Sequence, residues 1–77
     1  MVGERLPLLK PRKLIAVLER LGFRHRPLGA TSHRRYVHAN GRRTTVPVHK
    51  GQDIGRGLLR KILKDIDLSP EEFISLL

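Results

Sequence analysis

The sequence predicts an α+β domain of two layers, a three-stranded antiparallel sheet with helices on one face, in the order α-β-β-β-α with a short final helix. Three observations carry this. Apolar residues recur at helical spacing over 11–21 and again over 54–66. Between them, Asn40-Gly41 lies in the middle of a stretch that reads as strands and turns. The 77 residues allow one small domain that buries about 60% of its unfolded surface, without room for a deep cofactor cleft.

Residues 1–10 contain Gly3 and Pro7 and show no clear period, so a loose arm is expected ahead of a single domain spanning 11–77. From Pro11 onward, Leu14, Ile15, Val17, Leu18 and Leu21 share one helical face, and Arg12, Lys13, Glu19 and Arg20 take the other. Gly22 supplies the left-handed residue that ends such a helix. Residues 23–27 read as a short strand and 28–32 as a loop containing Gly29. Residues 33–39 and 42–48 then flank Asn40-Gly41, which suits a type I′ turn with positive φ at both central positions. Closing the hairpin on those two residues places Ala39 opposite Arg42, Val37 opposite Thr44, Arg35 opposite Val46 and His33 opposite Val48. In that register His33, Arg35, Val37, Val46 and Val48 share one face, and Arg34, Tyr36, His38, Thr45 and Pro47 the other. Each face has apolar and charged members, so alternation leaves both open as the core side. Pro47 has no N–H to donate, so its strand is expected to be an edge or to end there.

After a loop over 48–52, a second helix is expected from about Ile54 with Asp53 as its N-cap. Leu58, Leu59, Ile62, Leu63 and Ile66 form its apolar stripe. Gly55 and Gly57 each cost about 1 kcal/mol relative to Ala inside a helix, which weakens its first turn. Ser69-Pro70-Glu71-Glu72 combines an N-cap, proline at the first position and a capping box, and Phe73, Ile74 and Leu77 can pack the last helix back. This order of elements is also that of double-stranded-RNA-binding domains.

Sixteen Lys and Arg against seven Asp and Glu give a net charge of +9, and there is no cysteine. Without cysteine, a disulfide scaffold and a thiolate metal site are excluded, and a reducing compartment is the expected setting. The apolar runs fall far short of the roughly 20 residues that span a bilayer, and nothing resembles a signal peptide. A cytoplasmic protein with no membrane contact is therefore expected. The charge is also unevenly placed. No acid occurs between Arg20 and Gln52, a stretch that holds Arg20, Arg24, Arg26, Arg34, Arg35, Arg42, Arg43 and Lys50, whereas Asp65, Asp67, Glu71 and Glu72 gather near the C-terminal end. A one-signed stretch of this kind repels itself unless it meets an anion, and a phosphate backbone is the commonest such partner. The planar guanidinium fork suits phosphate in particular. An acidic protein partner is a second, compatible reading, and a solvated surface a third.

Near neutral pH only the four histidines are suited to acid or base work. There is no cysteine nucleophile, no paired carboxylate near the basic region, no phosphate loop and no HExxH. His33 and His38 fall on opposite faces of a strand and cannot share a metal ion, so neither a metal nor a cofactor is expected. Thr31-Ser32-His33-Arg34-Arg35-Tyr36 brings a hydroxyl, an imidazole, two guanidinium groups and an aromatic ring together. RNA carries its own nucleophile, the 2′-hydroxyl. Its cleavage needs a base for that proton, an acid for the leaving 5′-oxygen, and cations for the phosphate; a positioned base contributes roughly 10²–10⁴-fold. His33 is the candidate base, with an ordinary surface histidine as the competing reading. Ser32, Arg34, Arg35, Arg42, Arg43 and Lys50 are candidates for RNA contact, and His49 is either a loop residue or the acid partner of His33. Tyr36 reads as a packing residue in preference to a base-stacking platform. Lys61 and Lys64 reach either a second groove or solvent.

These residues also carry a likeness. The helix ending Leu21-Gly22-Phe23, the pair Ser32-His33 followed by Tyr36, the turn Asn40-Gly41-Arg42, the segment Thr45-Val46-Pro47-Val48-His49 and the run Gly57-Leu58-Leu59-Arg60-Lys61-Ile62-Leu63-Lys64 resemble the HicA-type toxins. These are small mRNA interferases of type II toxin–antitoxin pairs, also called the YcfA-like family, and the likeness covers 11–76. The family usually has Gly-Ser-His where this chain has Thr31-Ser32-His33, with a glycine two positions earlier at Gly29. The resemblance implies a fold like that of double-stranded-RNA-binding domains and a metal-independent endoribonuclease that cuts mRNA. It implies that the family's histidine falls on His33, covered in the resting pair by a HicB-type antitoxin. A non-catalytic RNA-binding module of the same fold is the alternative.

Overall fold

The structure is a computed structural model that describes residues 6–27, 29 and 32–77. Helix α1 (Pro11–Arg20) starts on its proline and turns Leu14, Ile15, Val17 and Leu18 inward, as the spacing predicts. It ends at Gly22, whose φ of 97° lets two backbone bonds close the last turn: Gly22 N–H donates to Glu19 O (3.0 Å) and Phe23 N–H to Leu18 O (2.9 Å). A Cβ on Gly22 would also sit 3.1 Å from His38 Nε2.

Helix α2 (Arg56–Asp65) closes in the same way, with Asp67 N–H donating to Lys64 O (3.1 Å) and Leu68 N–H to Leu63 O (3.0 Å). Here the left-handed position is held by Asp67 at φ 58°, not by glycine. That backbone costs an L-residue about 1–2 kcal/mol, less for Asp than for most. Asp67→Gly is therefore expected to stabilise the fold by about 0.5–1 kcal/mol. A urea midpoint that rises at unchanged slope is the expected reading, and a lower midpoint would show that the Asp67 side chain contributes more than its backbone costs.

Two expectations are corrected, one at the start of α2 and one at the N-terminal arm. Asp53 does not cap the helix; Gly55 is the N-cap, with no side-chain cap. The chain before it is extended instead, because Ile54 bridges to Leu9, its N–H donating to Leu9 O (2.6 Å), while Asp53 pairs with Lys10 at 3.2 Å. The loose arm also fails over 6–10. Leu6 and Leu9 are buried in the core, and Arg56 Nε donates to Leu6 O at 2.7 Å. Two leucines three apart are enough to anchor this segment although it has no period to read. Residues 1–5 lie outside the described residues.

The capping box of α3 (Pro70–Ser75) forms as expected: Ser69 Oγ accepts from Glu72 N–H, and the Glu72 carboxylate accepts from Ser69 N–H, both at 3.0 Å. These bonds with Ser69 hold the Glu72 carboxyl below its ordinary pKa. Phe73 is buried, and Arg20 Nη1 donates to Leu76 O (3.0 Å), tying the C-terminal end to α1.

The sheet consists of β1 (Arg24–Arg26), β2 (His33–Val37) and β3 (Arg43–Pro47), antiparallel and in the order β1-β2-β3. As expected of Pro47, β3 is an edge and ends there. The register differs from the predicted one by a single residue: His33 faces Pro47, Arg35 faces Thr45, Tyr36 faces Thr44 and Val37 faces Arg43. The turn is the cause. Gly41 alone takes a positive φ (96°), His38 N–H donates to Arg42 O (2.8 Å) and Gly41 N–H to His38 O (2.9 Å). This makes a three-residue connection, Ala39-Asn40-Gly41, in place of the two-residue type I′ turn. Asn40 braces it, its N–H donating to His38 Nδ1 and its Oδ1 accepting from Arg42 N–H, both at 3.0 Å.

A one-residue slip turns every side chain of β3 over. The true register puts Tyr36, Thr44 and Val46 on one face, all buried, and settles which side the helices cover. There they meet Leu14, Leu18, Leu59, Ile62, Leu63 and Phe73, each worth about 1.5–3 kcal/mol of burial. The one polar member, Thr44, donates its hydroxyl to Asp65 Oδ2 (2.9 Å), which also receives Lys61 Nζ (3.2 Å). No helix among the described residues is long and apolar enough to cross a membrane.

Candidate active site

The face away from the helices is set by pairing alone. His33, Arg35 and Val37 of β2 stand there with Arg43, Thr45 and Pro47 of β3. On the other side of β2, Arg24 faces Val37 and Arg26 faces Arg35. The three strands contain five arginines and no acid. Arg26 and Arg35 stand directly opposite each other, and no carboxylate among the described residues pairs with them.

His33 begins β2 at one end of this face. Ser32, just before it and exposed, accepts Val48 N–H on its backbone oxygen at 2.7 Å. That bond carries the pairing one step past His33 and Pro47 and brings His49 alongside. The rings of His33 and His49 lie edge to face, 6.0 Å between centroids and 88° between planes. Both residues are exposed. His49 opens a turn closed by Gln52 N–H donating to His49 O (3.1 Å), with Lys50 exposed on it and Gly51 at φ 77°. A groove beside His49 runs to the start of α1, lined by Lys10, Pro11, Arg12 and Val48 among others.

The sequence-predicted residues thus divide. The structure brings His33, His49, Arg35 and Arg43 onto one surface, with Ser32 and Lys50 at its histidine end. Arg34 is exposed but has the opposite parity, next to Val46. Arg42 is engaged within the protein: it donates to Ile66 O at the end of α2 and to Asn40 Oδ1 (3.2 Å), and its guanidinium lies 5.2 Å from the centroid of the Phe23 ring. Its place is therefore the support of the hairpin turn. Tyr36 packs as expected, buried and stacked on His25 (5.3 Å), and His38 meets Phe23 edge-on at 5.1 Å. Thr31, where the chain departs from Gly-Ser-His, lies outside the described residues.

Arg24 and Arg26 belong to the basic stretch but are not among the residues that the sequence alone offers for RNA contact. The signal was the alternation Arg24-His25-Arg26, which puts both arginines on one side of a strand, but only pairing with β2 tells which side. Arg35 is half-buried, and its Nε has no hydrogen-bond partner among the described residues. Arg24, Arg26, Arg34 and Arg43 likewise make no side-chain hydrogen bond or ion pair with other described residues, unlike Arg20, Arg42 and Arg56.

Fold and site together define a small basic α+β domain that carries cations and paired imidazoles on the sheet face turned away from its helices. The chain belongs to the HicA toxin family: the family model described as the HicA toxin of bacterial toxin–antitoxin matches residues 11–68, from the first residue of α1 to just past α2. It is thus a toxin of a toxin–antitoxin pair, and its partner is an antitoxin. No curated protein matches the chain.

Proposed function

We propose that this toxin is an mRNA-cleaving endoribonuclease in which His33 is the general base. The observation that supports the reading best is the pair His33 and His49, 6.0 Å apart at the end of a sheet face that carries arginines and no acid. At that spacing both imidazoles reach oxygens of a single phosphodiester. His33 takes the proton of the 2′-hydroxyl, and the 2′-oxygen attacks phosphorus. As the bond from phosphorus to the 5′-oxygen breaks, His49 gives that oxygen a proton, leaving a 2′,3′-cyclic phosphate and a 5′-hydroxyl. Arg35, two residues from His33 on the same face, stabilises the charge that grows on the phosphate, and Ser32, Arg43 and Lys50 hold the flanking backbone. Arg42 contributes from behind, by fixing the turn. Both proton transfers are made by imidazole, without a metal or other cofactor. The antitoxin is HicB-type and silences the toxin by covering His33, and the site of action is cytoplasmic mRNA.

Expression of the chain alone is expected to arrest growth and fragment mRNA, both relieved by coexpressing the antitoxin. Arrest with mRNA bound but intact would favour a non-catalytic RNA-binding module of the same fold.

A further inference from the structure

Two sets stand out among the arginines of this chain. Arg20, Arg42 and Arg56 donate to backbone oxygens of Leu76, Ile66 and Leu6 and hold the fold together. Arg24, Arg26, Arg35 and Arg43 come from all three strands, share the face turned away from the helices, and the strands contribute no carboxylate to it. Packing does not require guanidinium groups there, and their mutual repulsion works against the sheet. Arg35 adds a Nε shielded from water with no acceptor among the described residues, a donor left over by the fold.

We propose that this face is a track for the backbone of single-stranded RNA, with Arg24, Arg26, Arg35 and Arg43 holding phosphates and leading the strand to His33. The inference rests on the endoribonuclease reading for the destination of the strand, and on charge and register for the track. Residues two apart on a strand are about 6.6–6.8 Å apart, and neighbouring strands about 4.8 Å. Arg24 and Arg26 are therefore spaced like successive phosphates of an extended chain, and the three strands together are about 10 Å wide, which suits one backbone. A duplex is read across two minor grooves and about 16 base pairs, a span this face does not offer. Among the described residues no Phe or Tyr ring stands on it; between the arginines are Val37, Thr45 and Pro47. Without stacking platforms or base-edge readers, the track binds with little sequence preference.

The test compares two double variants with the wild type: Arg24→Gln/Arg26→Gln on the open face, and Arg60→Gln/Lys64→Gln on the exposed side of α2, which removes the same charge from the surface a duplex binder of this fold order would use. Affinity for a single-stranded RNA oligonucleotide is followed against salt, with thermal melting to verify folding. The open-face variant should bind about tenfold or more weaker, and the slope of log affinity against log salt should fall by about 1.4, or about 0.7 for every phosphate no longer held. The α2 variant should keep the wild-type slope. Equal weakening in the two variants, or a larger effect on α2, would overturn the track. So would an open-face variant that keeps its RNA affinity and loses the antitoxin, since the face would then dock protein. If the Arg24/Arg26 variant does not fold, Arg43→Gln on the opposite edge replaces it, with a slope change of about 0.7 expected. Binding is read without cleavage, so a wild type that binds but does not cut fails the endoribonuclease reading and leaves the track to be judged on its slopes.

Discussion

Replacing His33 by Ala should slow RNA cleavage by roughly 10²–10⁴-fold, the usual contribution of a positioned general base, and leave affinity for the same RNA essentially unchanged. The two effects separate because they arise in different places. Affinity comes from guanidinium contacts to phosphate, along a face that His33 only terminates. His33 is exposed at the start of β2, so losing its ring removes little buried surface, and the sheet keeps its pairing through Ser32 and Val48. His49→Ala should act on the same step. If the two rings work as base and acid on one phosphodiester, the double variant should be little worse than the more damaging single one, because groups acting as a unit are strongly non-additive. Full multiplication of the two effects would instead assign His49 an independent role. An unchanged rate in His33→Ala would remove it from the chemistry altogether.

The largest effect on stability is expected from Val46→Asp. Val46 is fully buried on the helix side of β3, and an acid there loses the burial of the valine, about 1.5–3 kcal/mol, and also brings an unpaired charge into the core at a cost of several kcal/mol more. A domain of this size has only about 4–12 kcal/mol of stability in all. The variant should show no cooperative melting transition at room temperature or above. Val37→Asp is the matching experiment, because the register expected for a two-residue turn puts Val37 and Val46 on the same face and the observed register puts them on opposite faces. Val37 stands on the open side between Arg24 and Arg43, so an acid there should leave the protein folded, paired with its guanidinium neighbours, and weaken RNA binding. Equal destabilisation of the two variants would contradict the assignment of faces.

The contrast also shows where the sequence stops being legible. Helices α1 and α3 and the apolar stripe of α2 could be read from periodicity and capping residues, because each signal is local. The hairpin was legible as a hairpin, but Asn40-Gly41 is compatible with connections of two or three residues, and only the second lets Asn40 brace the turn with its side chain. Mistaking one for the other shifts β3 by a residue, mixes Val46 with His33 and Arg35, and hides an amphipathic sheet. In the true register one face gathers Tyr36, Thr44 and Val46 and the other the open arginines. Leu6 and Leu9 were unreadable for a different reason: what buries them is a bridge to Ile54, far along the chain. At the site, His33, His49, Arg35 and Arg43 were nameable by residue type and position. Arg24 and Arg26 were not, because their place depends on strand pairing, and Arg42 was overvalued because its contacts with Ile66 and Phe23 are tertiary.

The most direct test of His33 as a metal-independent base for RNA cleavage is the chemistry of the ends it leaves. Purified wild-type protein is incubated with an RNA oligonucleotide in the presence of a metal chelator, alongside the same sequence made with 2′-deoxy sugars. The predicted result is cleavage of the RNA to fragments ending in 2′,3′-cyclic phosphate with 5′-hydroxyl partners, and an intact deoxy strand. Cleavage of the deoxy strand, fragments ending in 3′-hydroxyl, or activity that disappears with the chelator would contradict it.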